Sequence, residues 1–158
     1  LSELGASLEL NRMTVGRYID LLEKSFIIFR LSGFSRNLRK EVTKMDKIYF
    51  YDTGVRNAII GNLNILNSRD DAGKLWENFL IVERMKKLQY EQKIFSLYFW
   101  RLSSGAEMDL IEETEGELHG FEFKYGKKIV KSPKSWIIGY PTATATLINQ
   151  NNWQEFVI

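Results

Sequence analysis

Cysteine is absent from these 158 residues, which excludes disulfides and thiolate metal sites and accords with a reducing, cytoplasmic setting. His119 is the only histidine, so zinc hydrolysis and Ser-His catalysis have too little to build on. No apolar stretch reaches membrane-spanning length and no signal-peptide pattern appears, so no membrane partner is expected. A Gly-x-x-x-x-Gly-Lys-Ser/Thr run is also missing, so ATP binding by that motif is not expected. A strong excess of one charge is lacking too: 22 Lys/Arg face 20 Asp/Glu, for a net charge of +2.

What is present is core-forming material. Hydrophobic residues make up 44% of the chain and aromatic residues 13%, which argues against disorder and suits one ordinary domain or two small ones. The charge is unevenly spread. Residues 1–47 carry nine Lys/Arg against six Asp/Glu, residues 48–121 eight against twelve, and residues 122–158 five against two. Basic ends suit phosphate, while an acidic middle suits a metal. The chain opens Leu-Ser-Glu-Leu with no Met and is expected to be a piece of a longer protein.

Periodicity places the elements. Ser2 is suited to cap a short helix. Val15, Tyr18, Ile19 and Leu22 recur at helical spacing over residues 12–24, predicting a second helix. Strands are expected at 26–31 and 47–51, with a basic hairpin or loop between them. A helix-turn-helix followed by a basic hairpin is the layout of a winged helix, here without its first helix. A helix is expected at 55–60, then a polar crossing at 61–71. Leu75, Trp76, Phe79, Leu80, Val82, Met85 and Leu88 give residues 73–88 a broad apolar surface, predicting a long helix. Strands follow at 95–101, 107–112, 118–125 and 142–148, with an acidic turn at 113–117 and a basic loop at 127–134. The fold class is α/β, with one helix packed on a central sheet.

The chemistry concentrates on two neighbouring strands. Asp109 is followed, thirteen residues later, by Glu122-Phe123-Lys124. Strand alternation sends Glu122 and Lys124 to one side, and Phe121, Phe123 and Tyr125 to the other. Two convergent carboxylates suit a divalent cation, and a neighbouring ammonium suits a phosphate or an attacking water. Such a pair is also compatible with an ordinary surface ion pair, worth only ~0–1 kcal/mol.

These residues, preceded by Gly73-x-x-x-Glu77, resemble the PD-(D/E)XK nuclease superfamily. Lys47-Ile-Tyr-Phe-Tyr-Asp-Thr-Gly-Val, Leu75-Trp-Glu-Asn-Phe-Leu-Ile-Val-Glu-Arg, Tyr98-Phe-Trp-Arg, Gly105-Ala-Glu-Met-Asp-Leu-Ile, Glu122-Phe-Lys and Gly139-Tyr-Pro resemble, in order, the C-terminal part of bacterial and archaeal AAA-type ATPases, the domain of unknown function 4143. The resemblance implies a restriction-endonuclease-like core, a central mixed sheet with flanking helices, at residues 51–158, preceded by a partial winged helix at 1–50. It further implies an ATPase domain as a partner outside this chain and, if the module is active, Mg²⁺- or Mn²⁺-dependent phosphodiester hydrolysis. Asp109, Glu122 and Glu77 would then be the ligands, with Lys124 beside the attacking water. A non-catalytic DNA-binding, protein-interaction or regulatory module is the alternative.

Two further carboxylates compete for a place. On a helical wheel Glu83 falls inside the apolar face of its helix, where a lone carboxylate is costly, whereas Glu77 falls at its margin beside Arg84. Glu107 shares the face of Asp109. Nucleic-acid contacts are expected from Arg12, Thr14 and Arg17 on the second helix. The basic stretch offers Arg36, Arg39, Lys40 and Lys44, and the segment after Lys124 offers Lys127 and Lys128.

Overall fold

The computed structural model describes residues 2–36, 41, 45–126 and 133–158. Its elements are α1 (Ser2–Ser7), α2 (Arg12–Lys24), β1 (Ile28–Gly33), β2 (Asp46–Phe50), α3 (Thr53–Ile59), a 3₁₀ turn (Leu66–Ser68), α4 (Ala72–Tyr90), β3 (Phe95–Arg101), β4 (Glu107–Thr114), β5 (Glu117–Phe123), α5 (Lys134–Gly139), β6 (Thr144–Ile148) and α6 (Trp153–Val157). Local signals explain several boundaries. Asn11 caps α2 by accepting from the Thr14 N–H at 2.8 Å, and Asp52 caps α3 by accepting from Val55 N–H at 2.9 Å. Glu115 and Gly116, both at positive φ (54° and 84°), close the β4–β5 hairpin as a two-residue loop, the geometry that matches strand twist.

The six strands form one mixed sheet in the order β2-β1-β3-β4-β5-β6. The β1–β3 and β5–β6 pairs are parallel and the others antiparallel. The first two strands, expected to flank the basic hairpin or loop of a partial winged helix, are part of the central sheet, which residues 1–50 and 51–158 share. Two short helices, α5 and α6, lie where no helix was expected. Each is too short for its periodicity to stand out.

Helices flank both faces. On one face Leu80 and Ile81 of α4 pack with Leu31, Phe99, Leu110, Phe121 and Phe123 of the sheet and Phe156 of α6. Both α4 residues are fully buried, a contribution of about 1.5–3 kcal/mol each. On the other face Trp136 and Tyr140, at α5, meet Phe34, Trp100, Met108 and Leu118. Gly120 makes that contact close: a Cβ there would lie 2.8 Å from Met108 Cε and 3.0 Å from Trp136 Nε1. Val15 and Ile19 of α2 cover Ile28 in a smaller cluster.

One irregularity positions the chemistry. Tyr98 pairs with Ile111 but Trp100 pairs with Met108, so two steps along β3 match three along β4. This bulge sets Asp109 and Leu110 both opposite Phe99 and breaks the alternation. Met108 and Ile111 serve the α5-side core, while Leu110 serves the α4 side. Asp109, next to Leu110, is thereby turned toward α4.

Candidate functional site

The site forms where β2, β4, β5 and α4 meet. The strand β2 presents Lys47 and Tyr49 two residues apart, on one face. Helix α4 lays Glu77, Asn78, Ile81, Arg84 and Leu88 toward the sheet, a row at helical spacing. Asn78 locks the helix to β2: its Oδ1 accepts from Phe50 N–H at 3.0 Å and its Nδ2 donates to Phe50 O at 2.7 Å. Glu77, one residue earlier, then accepts from Lys47 Nζ at 3.1 Å and from the Tyr49 hydroxyl at 2.5 Å.

Lys47 is the hub. Its ammonium lies 2.5 Å from Glu107, 3.1 Å from Glu77 and 3.9 Å from Asp109, and sits 5.4 Å from the centroid of the Phe99 ring. Burial alone would lower its pKa, but Glu77, Glu107 and Asp109 outweigh burial and hold it above the usual lysine value. Burial, reinforced by the Glu77 carboxylate, likewise pushes the Tyr49 phenol far up, so Tyr49 stays a donor.

Asp109 is the most perturbed acid of the group. Burial pushes it up to about 7, and Glu77 and Glu122 add to this, against the opposing hydrogen bond from Phe123 N–H, which it accepts at 2.7 Å. Glu122 pairs with Lys124 at 2.7 Å. Burial works to lower Lys124, but the Glu122 bond and the charges of Glu122, Asp109 and Glu77 prevail and raise it. The balance is four carboxylates (Glu77, Glu107, Asp109, Glu122) against two ammonium groups, with Arg101 at the rim 3.7 Å from Glu107. One negative charge is left over, and burial makes Asp109 the carboxyl that most readily takes up a proton to relieve it.

A divalent cation is the group this resemblance implies. The donor chemistry suits a hard ion, but the arrangement does not. Among the described residues no three His, Asp or Glu side chains converge closely enough to hold a metal. The reason is geometric. The alternation of β5 puts Glu122 opposite Phe121 and Phe123, whereas the bulge turns Asp109 toward α4. The space between Glu77, Glu107 and Asp109 belongs to Lys47. As folded, the described residues do not form a divalent-ion site.

The structure gathers Glu77, Glu107 and Asp109 around Lys47, with the Glu122–Lys124 pair near enough for its charges to act on Asp109. It does not bring in Glu83, which pairs with Lys86 at 2.7 Å on a partly exposed side of α4. The helical wheel misleads there because α4 contacts two partners. Trp76 and Phe79 pack on Trp153 of α6, and the row that meets the sheet is the partly polar one through Glu77. Arg12 and Arg17 are exposed on α2 and Thr14 is half-buried, all remote in sequence from the cluster. Arg36 is engaged with Glu113 at 2.5 Å. Arg39, Lys40, Lys44, Lys127 and Lys128 lie outside the described residues. His119 meets Thr144 at 2.8 Å and Glu117 at 3.6 Å, and pairs with none of the cluster's carboxylates among the described residues.

Lys47 and Tyr49 are the site residues that sequence reasoning missed. Their signal was a charged and a hydroxylated residue alternating on one face of an otherwise apolar strand. The same α4–β4 seam also holds a second ion pair: Arg84 binds Glu112 through Nε at 2.7 Å and Nη2 at 3.0 Å, and donates to Phe156 O at 2.9 Å.

Fold and site together define an α/β protein with a helix-flanked six-stranded mixed sheet and a half-buried carboxylate–lysine cluster at the α4–β4 seam. The chain belongs to the family described as Domain of unknown function (DUF4143), which matches residues 72–152. A second family, Domain of unknown function (DUF8612), matches residues 1–65. The chain is 32% identical over 125 residues to Uncharacterized protein Rv2008c of Mycobacterium tuberculosis, covering 78% of this chain and 27% of that protein. It has the same 32% identity and the same coverage with Uncharacterized protein Mb2031c of Mycobacterium bovis. The chain thus spans 27% of the length of these relatives. No solved structure gives a significant match.

Proposed function

We propose that this chain is a nucleic-acid-interacting module with a restriction-endonuclease-like, PD-(D/E)XK core and an incomplete winged helix, working as the C-terminal part of an AAA-type ATPase. One observation carries the reading: two ammonium groups stand beside a set of carboxylates, Lys47 by Glu77 and Asp109 and Lys124 by Glu122. Neighbouring cations and acids of this kind meet a phosphodiester backbone and the groups around it. The exposed Arg12 and Arg17 of α2 supply a second basic surface. Binding to labelled single-stranded, duplex and branched DNA, measured across a salt series, tests this. The expected result is binding that weakens log-linearly with salt, and weakens further in Lys124→Ala. Absence of binding to all three substrates at low salt would sink the reading.

A second reading, phosphodiester hydrolysis at the same place, is favoured by the displaced titration of Asp109, whose pKa is raised to about 7, since perturbed acids cluster at working sites. It requires the carboxylates to rearrange around Lys47. Incubation of plasmid and branched DNA with Mg²⁺ or Mn²⁺ separates the readings. Cleavage lost in Lys124→Ala and in Asp109→Asn supports an enzyme, and DNA binding without cleavage supports an interaction module.

A further inference from the structure

The stretch from α3 to the 3₁₀ turn inverts the usual placing of apolar and polar side chains. Helix α3 buries none of its residues. Val55, Ile59, Ile60, Leu63, Ile65 and Leu66 are all exposed, Leu63 and Ile65 by 79% and 76%. What is buried instead is a cation: the Arg69 side chain is 1% exposed. Its guanidinium donates to Asn62 O at 2.7 Å, to Asn57 Oδ1 at 2.9 Å and to the Asp71 carboxylate at 2.8 and 2.9 Å. Asn62 N–H in turn donates to Asn57 O at 3.0 Å, and Ser68 Oγ donates to Ile65 O at 2.9 Å. A buried, paired arginine thus holds the loop doubled back on α3 while its apolar side chains face water.

Single exposed aliphatic residues need no explanation, but six in one short stretch do. They present on the order of 600 Å² of apolar surface, the upper end for the largest patch on a monomer. The patch runs into an apolar groove of about 260 Å³, which Leu66 lines together with Trp76, Phe79, Tyr125 and Trp153. Patch and groove together approach the roughly 800 Å² per partner that a stable interface uses. A loop already fixed by hydrogen bonds loses little freedom on association. Charge then selects the occupant. Residues 57–68 contain no Lys, Arg, Asp or Glu, so they offer neither a cation to phosphate nor a counter-charge to a charged protein. A neutral patch does not repel its own image across a two-fold axis. Exposed Asn64 and Asn67 suit the same pairing, because an amide carries both donor and acceptor.

We propose that α3 and the loop that follows it form a two-fold interface with a second copy of this chain, in which Ile59, Leu63 and Ile65 of each copy meet the same patch and the adjoining groove of the other. The interface goes beyond the nucleic-acid reading and uses no residue of the carboxylate–lysine cluster. Sedimentation equilibrium of the full chain over a concentration series tests it. The expected result is a reversible transition from 18.5 kDa to twice that mass. Added sodium chloride leaves the dimer intact, because the interface holds no ion pair to screen. Leu63→Glu and Ile65→Glu each weaken dimerisation by about 10-fold or more, since each introduces two like charges into one apolar contact. Both side chains are exposed in the single chain, so thermal unfolding of the variants, at concentrations where the wild type is monomeric, keeps the wild-type midpoint. A chain that stays at 18.5 kDa at every concentration overturns the proposal, whatever else covers the patch. A dimer that neither variant weakens, or one that salt dissociates, also overturns it. Mass that climbs past the dimer without limit marks non-specific apolar association and overturns the two-fold arrangement.

Discussion

The seam between α4 and β4 holds two ion clusters built from the same parts and set to opposite ends. Arg84 and Glu112 form a closed pair. The guanidinium meets both carboxylate oxygens, Thr114 adds a third hydrogen bond to Glu112, and Glu112 is only 3% exposed. About two helical turns away, Glu77 opens a cluster in which a single ammonium, Lys47, serves three carboxylates. A charge-matched bidentate pair leaves nothing for a ligand and serves the fold. An over-subscribed ammonium leaves a carboxylate, Asp109, with a displaced pKa. Matching of charges, more than their burial, separates the structural cluster from the candidate site.

Mutations that unbalance the matched pair should be the most damaging. Arg84→Met strands Glu112 in the core and is expected to cost about 3–5 kcal/mol of folding stability, read as a fall in urea midpoint. The double variant Arg84→Met/Glu112→Leu should recover most of that loss. If Arg84→Met costs under 1 kcal/mol, the contrast between the clusters fails.

In the unmatched cluster, removing an acid should stabilise. Asp109 has a folded-state pKa raised above its ordinary value, to about 7. The folded protein therefore binds the extra proton more readily than the unfolded chain, and this contribution to stability is lost as pH rises from about 4 through about 7. Asp109→Asn, which keeps an oxygen for Phe123 N–H, should be more stable than wild type at pH 8 by roughly 2–4 kcal/mol and equal to it near pH 4. Thermal unfolding at the two pH values decides this; a destabilised variant at pH 8 would contradict the surplus-charge account.

Lys47→Met removes the ammonium from its three acids. A loss of about 1–3 kcal/mol at pH 8, shrinking toward pH 5 as Asp109 takes up its proton, is expected from pH-dependent denaturation. Gly120→Ala probes the aromatic face instead. Its Cβ would press on Met108 and Trp136, and a cost of ~1–2 kcal/mol without any pH dependence is expected, because no charge is involved. Glu83→Gln should be nearly silent, within ~0.5 kcal/mol, since it breaks only the partly exposed contact with Lys86. A pH-dependent effect of Glu83→Gln would return it to the site.

How much of this was legible in sequence varies with the range of the interaction. Residues 12–24 and 73–88 read as helices because their apolar periods are strong, and the strand at 95–101 read to the residue. The short helices α5 and α6 did not, because five or six residues cannot display a period. Asp109, Glu122 and Lys124 could be singled out from spacing and resemblance. Lys47 could not be assigned to them, because a lysine at the start of a strand usually faces water, and only the β2–β1–β3 order carries it to β4. Glu77 and Glu83 could not be ranked from the wheel either, because the apolar arc of α4 is divided between sheet and α6.

By itself the sequence determined the α/β class, the long α4, an acidic turn within 113–117 and the set of charged residues available for chemistry. These follow from local rules: apolar period, capping, turn preference and side-chain type. Which charges meet was a matter for the tertiary structure alone. The parallel β1–β3 pairing brought Lys47 into the acids, and the bulge opposite Phe99 turned Asp109 toward them. Electrostatic fate depends on distance and burial, and neither is a property of a residue until the chain has folded around it.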